Sequence, residues 1–233
     1  MNIPKISNVF AGNTNRSENN SSEKKKVSIP AAVGALGGAL ASVGIIGKLT
    51  KGKLTFDVFE QGSLAKDMGA VIAVSSSSIL GGLCGGLLDA KSDEDKKAKV
   101  KESLFDISTV VFPSAMATSV LALANKAKVK SPLVQVAATI LGIGLGMPLA
   151  QKTAGVFDKF VHKDEPNVKL EQRKLKPQDY FVHVDDILAL AIISKVPFAK
   201  QLHADKILPL IYAWCGFESG STTANNKEEN KVG

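Results

Sequence analysis

Four long hydrophobic runs, separated by polar connectors rich in lysine, dominate the pattern of the chain. Met68 to Leu88 passes 21 positions without a charged residue, and a helix of about 20 apolar residues is long enough to cross the hydrocarbon of a bilayer. The other runs cover 28–46, 104–124 and 132–150. The pattern therefore predicts an all-α fold, a helical membrane bundle of about four glycine-rich apolar helices in antiparallel hairpins.

Helix-capping residues mark where these runs begin. Pro30 falls in the first turn of the first run, and Ser63 is the predicted N-cap of the second. The third is predicted to start at Ser103, because Asp106 three residues later nearly completes a capping box. The charged stretch 91–101 before it is then expected to be a solvated loop.

Proline and short connectors shape the second pair of runs. Pro113 lies near the middle of the third run and predicts a kink there. The turn 125–130 is short, and Ser131 followed by Pro132 opens the fourth helix. The third and fourth helices are therefore predicted to lie side by side as an antiparallel hairpin.

The C-terminal third carries weaker signals. After a polar connector at 151–176, with a short helix around 156–161, come the apolar pieces 177–196 and 207–217. Both are too short to span a membrane, so we expect a C-terminal amphipathic helix pair at the interface, re-entrant, or packed on the bundle. The predicted organisation is a disordered polar tail at 1–26, one helical domain at 27–218, divisible into three hairpins, and a disordered tail at 219–233.

Glycine spacing suggests how the helices pack. Only 6% of the residues are aromatic and 20 are glycine. Glycines four residues apart clear a strip on which another helix backbone can approach closely. The predicted packing residues are Gly34, Gly38, Gly81, Gly82, Gly85, Gly86, Gly142 and Gly146. The first and second helices, which share this pattern, are predicted partners.

Charge adds a little to this picture. The net charge is +7, and the lysines lie in connectors rather than along one face with aromatic residues, which argues against a nucleic-acid partner and favours the lipid bilayer. A homo-oligomer through the glycine faces is also possible. Of 29 basic residues, 19 fall on the side predicted to hold both tails, which predicts cytoplasmic termini. The lysine density on the two sides is nearly equal, however, and the mean hydropathy is only +0.09.

Two polar groups are candidates for chemistry. Ser75, Ser76, Ser77 and Ser78 place hydroxyls on every face of one helical turn, either lining a polar path or bonding to backbone carbonyls. Asp179, His183 and Asp186 share one helical stripe, which could bind a metal or relay protons. Acidic residues that offset a helix dipole after Pro177 explain the same stripe.

Enzyme motifs for nucleotide, zinc or nucleophile sites are absent from the sequence. We therefore expect no cofactor and no metal. The favoured hypothesis is a non-enzymatic integral membrane protein with a structural or scaffolding role. A small transporter or channel built on the serines and the Asp/His stripe is one alternative. A soluble or peripheral all-α protein that inserts conditionally is the other.

Overall fold

The computed structural model describes residues 27–52, 58–59, 63–128, 131–161 and 204–223. Every regular element within these ranges is a helix, so the all-α prediction is confirmed. The helices are α1 (Ile29–Lys51), α2 (Leu64–Leu88), α3 (Asp93–Lys126), α4 (Pro132–Val161) and α5 (Ala204–Ser221).

The predicted starts of three helices are confirmed. Ser28 Oγ accepts a hydrogen bond from the Ala31 N–H at 3.3 Å, with Pro30 in the first turn. Ser63 Oγ accepts from the Lys66 N–H at 3.4 Å, and α4 begins at Pro132. Local capping chemistry therefore determines where these helices begin.

The start of α3 was predicted wrongly. The N-cap is Ser92, whose hydroxyl accepts from the Asp95 N–H at 3.1 Å, and the acidic residues after it lie in the first turn. Acids at this position stabilise the positive end of the helix dipole, which makes Ser92 a stronger start than Ser103. The stretch 91–101 is thus mostly helical rather than a loop, and the helix continues through the buried Pro113.

Two other helices extend beyond their predicted ends. α4 runs without interruption to Val161, so the short helix expected at 156–161 forms its last turns. α5 continues to Ser221, three residues past the predicted domain boundary at 218. The apolar piece 177–196 lies outside the described residues.

Residues that face one another fix the direction of each helix. Gly34 lies against Gly81 and Gly38 against Ser77, so α1 and α2 are antiparallel. Gly142 lies against Ala117 and Gly146 against Pro113, so α3 and α4 are antiparallel as well.

The fifth helix runs in the opposite sense to α1. Gly216 lies against Gly82 and Gly220 against Gly86, so α5 is parallel to α2. We call the end of the bundle where α1 begins and α5 finishes the first end, and the end where α1 finishes and α5 begins the second end.

Two buried apolar clusters hold the helices together. One joins α1, α2 and α5 to the short segment at 58–59, around the fully buried Phe59 and Tyr212. The other joins the beginning of α2 to α3 and α4 around Met68, Leu121 and Met147. Because α2 contributes to both clusters, it is the helix shared by the two halves of the bundle.

Large apolar side chains also cover the outside of the bundle. Leu49 is 80% exposed, Val33 66% and Leu123 66%. Large exposed apolar patches are uncommon on soluble monomers. Four helices, α1 to α4, are long and apolar enough to cross a membrane. The architecture is therefore compatible with a multi-pass integral membrane protein.

Candidate functional site: the glycine and serine helix contacts

The contact between α1 and α2 is made by backbone against backbone. A Cβ atom added to Gly34 would overlap the carbonyl oxygen of Gly81, and one added to Gly38 would overlap that of Ser77. A Cβ on Gly85 would overlap the carbonyl oxygen of Pro30. The two helices therefore approach so closely that a side chain at any of these glycines needs one backbone to move.

The contact between α2 and α5 follows the same rule with a second set of glycines. A Cβ on Gly82 would overlap the carbonyl oxygen of Gly216, and one on Gly86 would overlap that of Gly220. The sequence analysis did not single out Gly216 and Gly220. Their spacing of four residues was the available signal, but it crosses the predicted domain boundary at 218.

α4 uses its glycines against larger neighbours. Gly142 lies against the backbone of Ala117 and Gly146 against that of Pro113. By contrast, a Cβ on Gly37, Gly69 or Gly144 would meet no atom within 4 Å. Only some glycines in these helices are therefore at close contacts, and the others provide natural controls.

One hydroxyl bridges three helices. Ser78 Oγ, fully buried, donates to the carbonyl oxygen of Tyr212 on α5 at 2.8 Å and lies 3.1 Å from that of Ala35 on α1. Because a serine hydroxyl has a single proton, the two carbonyls share it. This contact places Ser78 at the junction of α1, α2 and α5, with Gly216 packed directly against it.

The remaining serines of the run behave differently. Ser77 contributes its carbonyl to the α1 contact, whereas the hydroxyls of Ser75 and Ser76 are buried with no hydrogen-bond partner among the described residues. Ser114 on α3 is likewise buried and without a partner for its hydroxyl. Buried hydroxyls usually find a partner, so this part of the bundle has unused hydrogen-bonding capacity.

Helical register relates two of these serines to the same buried apolar cluster. Ser75 follows Met68 by seven residues on α2, and Ser114 precedes Leu121 by seven residues on α3. Seven residues are close to two full turns, so each serine shares a face with its apolar partner. Met68 and Leu121 belong to one buried cluster, so Ser75 and Ser114 each lie about two turns along their helix from that cluster.

Hydrogen bonds between polar groups join α5 to α3 at the first end. Lys99 is 3% exposed, and its Nζ donates to the carbonyl oxygen of Gly220 at 2.6 Å. One turn further along α3, the hydroxyls of Ser103 and Ser219 are 2.7 Å apart. An ammonium at the carboxyl end of a helix also interacts favourably with the helix dipole, so these contacts hold the last turn of α5 in place.

Lys99 belongs to the charged turns of α3 that precede its apolar segment. Burial lowers the pKa of the Lys99 ammonium, and the carboxylates of Asp95 and Asp89 oppose that shift. The sequence analysis placed Lys99 in a solvated loop and therefore missed this contact.

The candidate metal or proton-relay stripe at Asp179, His183 and Asp186 lies outside the described residues. Within the part of the chain that the structure describes, no group of three or more His, Cys, Asp or Glu residues could hold a metal ion. The described residues therefore present helix contacts, buried hydroxyls and the buried ammonium of Lys99.

These features define a class, an all-α bundle with four helices able to cross a membrane. Comparison of the chain with protein-family models, with curated proteins and with solved structures finds no match.

Proposed function

We propose that the chain is a non-enzymatic integral membrane protein whose role is structural, a compact multi-pass bundle that holds its helices together through glycine and serine contacts. The observation that carries this proposal is the distribution of residue size and polarity. Along α1 and the side of α2 that it contacts, small and hydroxyl-bearing residues make the helix contacts, whereas large apolar residues such as Leu36, Leu40 and Leu80 face outward.

This distribution suits lipid better than water. In water, the burial of large apolar side chains is the main favourable contribution to folding. Here Leu36, Leu40 and Ile45 of α1 remain exposed, whereas Gly34 and Gly38 lie at the contact with α2. In lipid, exposed leucines cost nothing and close backbone packing supplies the attraction between helices.

The glycine contacts also bear on self-association. The glycine strips predicted as possible oligomer faces make contacts between helices of one chain. The proposal is therefore of a bundle that is complete within a single chain. Residues 27 and 223 both lie at the first end.

Carbonate extraction tests membrane integration. After alkaline washing of membranes from cells that express the full chain, we expect the protein to stay in the pellet and to be released only by detergent. A known peripheral protein and a known multi-pass protein from the same membranes serve as controls. Quantitative release into the carbonate supernatant would support the soluble or peripheral alternative and remove this proposal.

A second candidate function, permeation, is favoured by the buried hydroxyls of Ser75 on α2 and Ser114 on α3, which have no hydrogen-bond partner among the described residues. A hydroxyl can exchange hydrogen bonds with a permeating water, and its oxygen can coordinate a permeating cation. This candidate keeps the serine part of the transporter hypothesis and does not depend on the Asp/His stripe.

Proteoliposome flux tests permeation. If Ser75 and Ser114 line a permeation path, vesicles that contain the full chain should exceed empty vesicles in osmotic water permeability or sodium uptake. Replacing both serines with valine should then abolish the excess. Ser119→Ala is the matched control, because the Ser119 hydroxyl is exposed and bonds to the Ala115 carbonyl of its own helix. Flux equal to that of empty vesicles, or unchanged in the double variant, would exclude permeation along Ser75 and Ser114.

A further inference from the structure

Lysines predominate among the exposed charged residues that α1 to α4 present at the second end of the bundle. Lys48, Lys66, Lys126 and Lys128 are exposed there. Among the described parts of α1 to α4, the acidic residue at this end is Asp67, which is only 5% exposed. The accessible charge that these helices present at the second end is therefore positive.

The first end differs. Its charged residues alternate in sign along the beginning of α3, and Lys96 forms an ion pair with Asp93 at 2.9 Å. The acidic residues Glu94, Asp95 and Glu102 lie in the same three turns. Lysines at the first end therefore have several acidic neighbours on α3, whereas in the described parts of α1 to α4 the exposed lysines of the second end share that end with one acidic residue, Asp67.

Helix dipoles explain part of the basic second end. Lys48 lies in the last turn of α1 and Lys126 in the last turn of α3, where a cation stabilises the negative end of the dipole. Lys66 lies in the first turn of α2, where the dipole disfavours a cation. Lys128 lies beyond α3, at a residue with φ of 58°. Neither of these two lysines is explained by a helix dipole.

The exposed apolar residues beside these lysines indicate which kind of molecule their ammonium groups contact. Leu49, beside Lys48, is 80% exposed, and Leu123, one turn before Lys126, is 66% exposed. A lysine at the end of an apolar helix extends its stem along that surface and places its ammonium among the lipid headgroups. A polyanion that approached from water would have no need of the apolar border.

We propose that the lysines at the second end, Lys48, Lys66, Lys126 and Lys128, form a binding surface for the phosphate groups of anionic phospholipids. The proposal rests on the proposed function, because it requires the bundle to lie in a bilayer. It adds a preferred lipid class and a place on the molecule where that lipid binds.

Thermal unfolding in two lipid compositions tests the surface. The full chain is reconstituted in vesicles of phosphatidylcholine alone and of phosphatidylcholine with phosphatidylglycerol, and the unfolding midpoints are compared at low salt. We expect phosphatidylglycerol to raise the midpoint by about 5 °C, an effect that added salt diminishes. Comparing each variant between lipids cancels any loss that comes from a helix dipole.

Two matched variants locate the effect. Replacing the four second-end lysines with glutamine should remove the difference between the lipids. Replacing Lys91, Lys96, Lys97 and Lys159, all at the first end, should retain it although it changes the net charge equally. An equal loss in both variants, or no difference between lipids for the unaltered chain, would overturn the proposal.

Two further outcomes distinguish failure of the lipid proposal from failure of the proposed membrane function. If soluble polyphosphate raises the midpoint in phosphatidylcholine vesicles as much as phosphatidylglycerol does, the surface binds polyanions from water and the lipid proposal is wrong. If the chain enters neither kind of vesicle, the proposed membrane function has failed rather than the lipid preference alone.

Discussion

Replacement of Gly85 with leucine is expected to prevent α1 and α2 from packing, whereas the same replacement at Gly37 is expected to leave the bundle folded. A Cβ on Gly85 would overlap the backbone of Pro30, so the clash cannot be relieved by turning a side chain. Overpacking of this kind typically costs about 1–3 kcal/mol and more where backbones must separate, and we expect a loss of at least about 3 kcal/mol of unfolding free energy.

Gly37 is the matched control, because it lies in the helix that Gly85 contacts and a Cβ there would meet nothing within 4 Å. Leucine has the better helix propensity, so Gly37→Leu should be neutral or stabilising by up to about 1 kcal/mol. Unfolding in mixed micelles of increasing SDS content, followed by circular dichroism, measures both. Equal tolerance of the two variants would show that the close approach at Gly85 does not hold the helices together.

A second pair of variants tests whether close backbone packing also holds α2 against α5. Gly82→Leu, which would overlap Gly216, should be as damaging as Gly85→Leu, whereas Leu87→Ile retains volume and should cost less than about 1.5 kcal/mol. The two glycine variants separate the partners, because Gly85 faces α1 and Gly82 faces α5.

Local signals gave the fold class and most helix starts. Pro30, Ser63 and Pro132 act through bonds and sterics within a few residues, so the sequence alone is enough to interpret them. The start of α3 was predicted wrongly because Ser103 and Asp106 nearly match a capping box at the edge of the apolar run. Ser92 and the acids after it open a helix whose first three turns are charged, and only contact with α5 explains why Lys99 is buried there.

The sequence indicates which type of residue packs between the helices, but not which helix each of these residues contacts. Glycines in apolar helices indicate close approach, yet spacing alone cannot distinguish Gly34, which packs on α2, from Gly37, where an added Cβ would meet no neighbouring atom within 4 Å among the described residues. The serine run shows the same limit. Ser75 and Ser78 differ by three residues, but only Ser78 reaches the carbonyls of two other helices. Such differences arise from the tertiary arrangement of α1, α2 and α5.

Replacement of Tyr212 with alanine is expected to release α5 from the bundle, because Tyr212 is the largest fully buried side chain on α5 and packs against Phe59, with ring centroids 6.3 Å apart. Truncating a buried aromatic residue costs about 3–5 kcal/mol. Trp214, two residues along the same helix and 61% exposed, is the control, and its replacement by alanine should cost less than about 1 kcal/mol. Denaturant unfolding measures the loss, and limited proteolysis between α4 and α5 reports whether α5 has separated. Because Ser78 binds the Tyr212 backbone rather than its ring, the variant retains that hydrogen bond, and a small loss for Tyr212→Ala would mean that backbone contacts at Gly82 and Gly86 hold α5 without its aromatic anchor.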